Sequence, residues 1–122
     1  MSAVQGVQVK NDFRYAITIP DNTGNGSTIL ALLQAQGFQG SRCHGVIIRP
    51  YVPGVSGAQR AAFVAACPRV TGGAIASTDF TTHGDYVAAG EAYYTPADAD
   101  SSDTYVRSAS GSTVSALAIV LY

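Results

Sequence analysis

Charged side chains are scarce in this sequence. Only 12% of its 122 residues are Asp, Glu, Lys or Arg, with one lysine, Lys10, and one glutamate, Glu91. A formal net charge of −1 and six scattered arginines exclude an electrostatic nucleic-acid footprint, which needs cations clustered against phosphates. Long apolar runs are also missing. No run is longer than AAFVAAC over residues 61–67, which falls far short of the ~20 residues that cross a bilayer, so no membrane partner is expected. The opening MSAVQG has neither the basic start nor the apolar middle of a signal peptide, which predicts a chain made and kept in a cytosol. Cysteine is limited to Cys43 and Cys67, expected there as two reduced, buried thiols rather than a disulfide. A chain of this length buries roughly two thirds of its unfolded surface in one domain, so neither metal, disulfide nor cofactor is needed to hold it together.

What is present is small or aromatic: thirteen glycines, many Ser and Thr, and seven tyrosines. Long charged side chains normally coat exposed helices, and their near absence predicts little exposed helix and a surface of small polar and apolar groups. Such a surface associates readily, which points to a subunit of an assembly.

Period-two alternation sets Phe13, Tyr15, Ile17 and Ile19 on one face of a strand, and Val7 and Val9 alternate similarly before it. Residues 21–26 form an Asn/Gly loop, after which Ser27 or Thr28 can cap a helix over about 28–36 that ends at Gly37. Ile29, Leu32 and Leu33 make its core-facing stripe, and Phe38 packs back on it. Residues 43–52 read as a strand buried at its centre, with Pro50 turning its far end into an edge or a loop. Residues 58–67 have helical composition and are read as a helix, although a short Ala/Val strand would look almost the same. Short strands are expected over 74–80, 86–89, 91–95, 104–109 and 112–122, with Ser110-Gly111 as the turn of a final hairpin. Both faces of the last strand are apolar, so it lies mid-sandwich or a partner covers one face. The spacing is that of a mainly β sandwich or barrel with one short helix, in a single domain over 1–122, and the likeness of residues 82–94 and of the C-terminal half to jelly rolls narrows the expectation to a jelly-roll-like antiparallel β-sandwich.

Groups able to do chemistry are few. Cys43 and His44 are neighbours on a strand and point to opposite faces, so they cannot act as a thiol–imidazole pair. Residues 24–28, GNGST, lack the lysine of a phosphate-binding loop, though a glycine-rich approach to a helix could still hold an anion. The acidic loop 96–103 lacks the glycine and terminal glutamate of a calcium loop. The segment 82–94, THGDYVAAGEAYY, resembles the strand-turn-strand of cupin-like jelly rolls, in which His and Glu side chains hold a metal. Here Tyr93 or Tyr94 stands where a later His would be expected, and no His-x-His pair exists. The likeness supports the fold and speaks against the chemistry. No catalytic residue, metal ligand or cofactor is assigned, and an enzyme using His83 and Glu91 on a metal is the weaker alternative.

The stretches YVAAGEAYYTP and DTYVRSASGSTVSALAIVLY, with TILALLQAQGF and GVIIRP before them, resemble the small jelly-roll decoration or cement proteins of tailed-phage heads. Residues 58–67 have no counterpart in that resemblance. It implies a structural virion subunit, made in the host cytoplasm, that binds the capsid exterior, with the major capsid protein and copies of itself, as a dimer or trimer, for partners. A tail-fibre or surface module that binds carbohydrate through Tyr rings and Asp/Asn loops is the alternative function. Tyr51, Tyr86, Tyr93, Tyr94, Tyr105 and Tyr122 supply area with a polar tip, as interface anchors do, and some must be core. The interface is assigned to Val7, Val9, Tyr51, Tyr93, Tyr94 and Tyr122, with residues 1–10 a candidate arm adding Val7 and Val9 to a neighbour's sheet.

Overall fold

A computed structural model describes residues 13–67, 74–96 and 100–121. Within these residues eight strands form two four-stranded antiparallel sheets. The strands are β1 (Arg14–Ile19), β2 (Ser27–Thr28), β3 (Val46–Arg49), β4 (Phe63–Ala66), β5 (Asp85–Val87), β6 (Tyr93–Tyr94), β7 (Tyr105–Ser108) and β8 (Val114–Val120). One sheet runs β1-β8-β3-β6 and the other β2-β7-β4-β5. Strand β1 pairs with β8, β2 with β7, β3 with β6 and β4 with β5, the pairing of one long hairpin rolled up on itself. That is a jelly-roll sandwich, the fold expected from the likeness to jelly-roll proteins. Every connection except β4 to β5 crosses from one sheet to the other. The Ser110-Gly111 turn is therefore a crossover and not the hairpin turn expected of it.

Strand β8 sits between β1 and β3, which pair both of its backbone edges. Val114, Ala116, Ala118 and Val120 face inward and are buried, while Leu117 and Ile119 on the outer face are half-buried and Leu121 is exposed. Small Ala side chains at the centre leave room for Ile17, Ile48 and Phe63 from neighbouring and facing strands in the same core. Helix α1 (Ile29–Ala35) adds Ile29 and Leu33 to that core. The Thr28 side chain accepts from the Ala31 N–H at 3.1 Å. At the other end Phe38 N–H bonds to Leu33 O and Gly37 N–H to Gln34 O, both at 3.1 Å, with Gly37 at φ +99°. These are the two bonds of a Schellman cap. Leu32, expected in the buried stripe, is only half-buried.

Two expectations exchange places. Residues 58–67, read as a helix, form a 3₁₀ turn (Ala58–Arg60) followed by β4. Residues 74–80, read as a strand, lead into helix α2 (Ser77–Thr82). The two segments meet: Phe80 and Ile75 pack with Ala66, Val64 and Tyr105 on the outer face of the β4-containing sheet. Both faces of β4 are thus covered, so no polar alternation marks it as a strand. In α2, Thr81 and Thr82 donate their hydroxyls to Thr78 O, at 3.1 and 2.6 Å, so both hydroxyls are satisfied within the helix. Asp79 accepts the Ala76 N–H at 2.9 Å and fixes the first turn. Arg107 joins these parts. Only 9% exposed, it donates to Gly24 O (2.9 Å) and to the Ser77 hydroxyl (3.0 Å) and lies 4.4 Å from the centre of the Phe80 ring.

Candidate interaction surface

The edge strands β5 and β6 belong to different sheets, and the loop between them closes one side of the sandwich. Within it, Glu91 N–H bonds back to Ala88 O at 3.0 Å, and the Glu91 carboxylate accepts the Ala88 N–H at 2.9 Å. Gly90, at φ +89°, occupies the third position of this turn, where a type II turn requires a positive φ. The two bonds between Ala88 and Glu91 brace this turn, which stands between two depressions. One, of about 630 Å³, has Val87 and Tyr93 in its lining, with Asp85, Tyr86, Glu91 and Tyr94 around them. The other, of about 280 Å³, is bounded by Pro50, Tyr51, Arg60, Ala89 and Gly90.

Three tyrosines project here. Tyr86 is 66% exposed, Tyr94 64% and Tyr51 46%, and with Leu121 they are the exposed large hydrophobic residues among those described. Strand registry explains the directions. Val87 opposite Phe63 points into the core, so its neighbour Tyr86, opposite Val64, must point out. Likewise Tyr93, opposite Ile48, faces in, and Tyr94, opposite Ile47, faces out. Tyr51 follows β3 and carries the Arg60 guanidinium 5.2 Å from its ring centre.

Of the residues expected at an interface, Tyr51 and Tyr94 are exposed, and they border different depressions on the two sides of the turn. Tyr93 is a correction. It is buried, its ring meets Phe63 edge-on at 6.2 Å, and burial pushes its phenol well above the ordinary value. Val7, Val9 and Tyr122, and the arm over 1–10, lie outside the described residues. Tyr86, left out of the narrower set, is the most exposed of the three rings. The signal that could have found it is its place on an edge strand directly after a Gly-Asp turn.

Other candidate groups are engaged in the fold. Cys43 is buried and donates its thiol to the Ser101 hydroxyl at 2.9 Å, and burial pushes its pKa up. Cys67, expected buried, is exposed at the end of β4, because it is the first residue beyond the strand, and it forms no disulfide. His83 lies 2.8 Å from the Thr82 hydroxyl and 3.7 Å from Asp79. Among the described residues, no three of His, Cys, Asp and Glu stand together as a metal site would require. The N-terminus of α1 has no room for an anion at its backbone. Ile29 and Leu30 donate to Thr104 O and Ser101 O, and Ala31 to Thr28. Asp100 anchors the loop that supplies those carbonyls. The Ser102 N–H and, with it, the Ser102 hydroxyl and Arg42 guanidinium hold its carboxyl below the ordinary range. Comparison with protein families, characterised proteins and solved structures finds no match to this chain.

Proposed function

We propose that this protein is a structural virion subunit, a decoration or cement protein that docks on the outside of a phage head and bridges major capsid proteins. The observation that carries this reading is the group of three exposed tyrosines, Tyr51, Tyr86 and Tyr94, set around a braced turn at one edge of a jelly roll. Rigid aromatic side chains lose little entropy when covered, and interface hot spots favour them. Their exposed area is on the order of 350 Å², a large part of the ~800 Å² that one partner buries in a standard interface. At roughly 25 cal/mol per Å² this contributes about 9 kcal/mol gross, against association costs of about 4–15 kcal/mol. One copy alone therefore binds weakly, and a repeating lattice that engages several copies compensates. The resemblance of the chain to head-decoration proteins supports the same reading.

Co-sedimentation with shells assembled from the major capsid protein encoded in the same genome tests it. The wild-type chain is expected to pellet with the shells, and Tyr86→Ala with Tyr94→Ala to weaken binding by roughly 30-fold or more, as loss of two anchors does. Wild-type protein that stays in the supernatant contradicts the reading. One observation favours a second reading, a carbohydrate site: Tyr86 and Tyr94 share a groove with Asp85 and Glu91. Titration with host sugars at millimolar concentration decides it, and unshifted amide resonances of Tyr86 and Tyr94 remove it.

A further inference from the structure

Among the described residues the two sheets have four edge strands, and three of them, β2, β5 and β6, span only two or three residues. The fourth, β1, spans six residues, RYAITI. Its bonding phase follows from its ends. Val120 N–H donates to Phe13 O at 2.8 Å, so Phe13 and every second residue after it exchange hydrogen bonds with β8. The backbone N–H and C=O groups of Arg14, Ala16 and Thr18 therefore point away from β8, and no described residue pairs with them. All three side chains are exposed. The strand carries none of the usual protection of an edge: no lysine, no internal proline, and one charge, at its first residue.

We infer that β1 pairs antiparallel with β1 of a second copy across a two-fold axis at Ala16, joining the two β1-β8-β3-β6 sheets into one. Registry selects this axis. With Ala16 opposite Ala16, each Arg14 lies opposite Thr18 of the other copy, and all three outward residues exchange bonds. Centring on Arg14 sets two like charges face to face, and centring on Thr18 brings Ala16 opposite Pro20, which has no N–H to give. The outer-face side chain at the axis is a methyl group, small enough for close approach of the two strands. A contact of this kind is self-complementary and closes at two copies.

Strand β6 is at the far edge of the same sheet, so the dimer leaves both tyrosine surfaces free. The two β6 strands stand seven inter-strand spacings apart, about 34 Å. A bivalent particle of this shape supplies the second foothold that weak single-site docking needs. The pairing itself does not depend on what the tyrosines bind.

Sedimentation equilibrium of the full chain over a concentration series tests the inference. The wild type is expected to approach twice the 12.6 kDa chain mass. Ala16→Pro deletes an outward N–H without breaking a bond to β8, and it should weaken the dimer at least tenfold with the circular dichroism spectrum unchanged. Ala16→Lys, which opposes two ammonium groups across the axis, should do the same and serves if the proline variant fails to fold. A wild-type monomer at every concentration overturns the inference, whether residues 1–12 or another protein cover the edge. A dimer that survives both substitutions overturns it equally. Shell binding by the monomeric variant is a separate readout, so the docking reading and the pairing fail independently.

Discussion

Arg107 illustrates how much one side chain carries in this fold. Its guanidinium joins the loop at Gly24 to α2 through Ser77 and caps the Phe80 ring, with little solvent to replace any of these partners. Arg107→Ala removes the charged donors and the ring contact together, and an unfolding titration in urea should record a loss of about 2–4 kcal/mol. Arg107→Lys keeps the charge but not the planar fork, and should recover less than half of the loss. The two thiols differ in the same local way. In native protein one thiol per chain, that of Cys67, should react promptly with an aromatic disulfide reagent, and both after denaturation, because Cys43 is buried, bonded to Ser101 and raised in pKa. Prompt reaction of both would contradict the burial of Cys43. Residue-level legibility was limited by parity. Tyr93 and Tyr94 are adjacent on a strand, so one must face the core, but composition does not say which. The choice belongs to the register of β6 against β3.

Among the elements, α1 was readable because each of its signals is local: a hydroxyl before the apolar run, an i, i+4 pair in Ile29 and Leu33, and a glycine after it. Its cap is also testable. Thr28→Ala should cost about 1 kcal/mol, measured by thermal or denaturant unfolding, since it leaves the Ala31 N–H without its partner. A change within experimental error would mean that β2 pairing with β7 alone fixes the start of the helix. Strand β1 was readable for the complementary reason that its alternation separates a buried face from an exposed one, and β8 as an apolar run of strand length after the Ser110-Gly111 turn. Strand β4 and helix α2 were not, because each owes its state to the other. Covering the outer face of β4 with Phe80 and Ile75 erases the polar alternation of the strand, and threonine hydroxyls bonded along α2 disguise the helix. Strand β2 is two residues long and exists only through β7. No window of sequence contains that information.

At the scale of the molecule, the two sheets differ in how their outer faces are treated. The β4-containing sheet is covered by α2, whereas Ala16, Leu117, Ile119, Ile47 and Tyr94 on the other sheet stay wholly or partly exposed. The mainly β sandwich was legible in its short strands between regular turns, whereas the order of the strands was not: β2 and β4 escaped the pattern, and the turn at Ser110-Gly111 crosses between sheets. The tyrosine surface was legible only in part: Tyr51, Tyr86 and Tyr94 were visible as aromatic excess, while which tyrosines face out, and the placing of Arg60 and the turn at Gly90 beside them, needed the fold. The central claim is that this edge of the jelly roll is an adhesive surface for a capsid lattice. Electron cryomicroscopy of shells incubated with the protein tests it most directly. The account predicts added density of one jelly roll per site on the outer surface, with the β5–β6 turn and its tyrosines against the shell. Undecorated shells, or density seated with those tyrosines facing solvent, would contradict it.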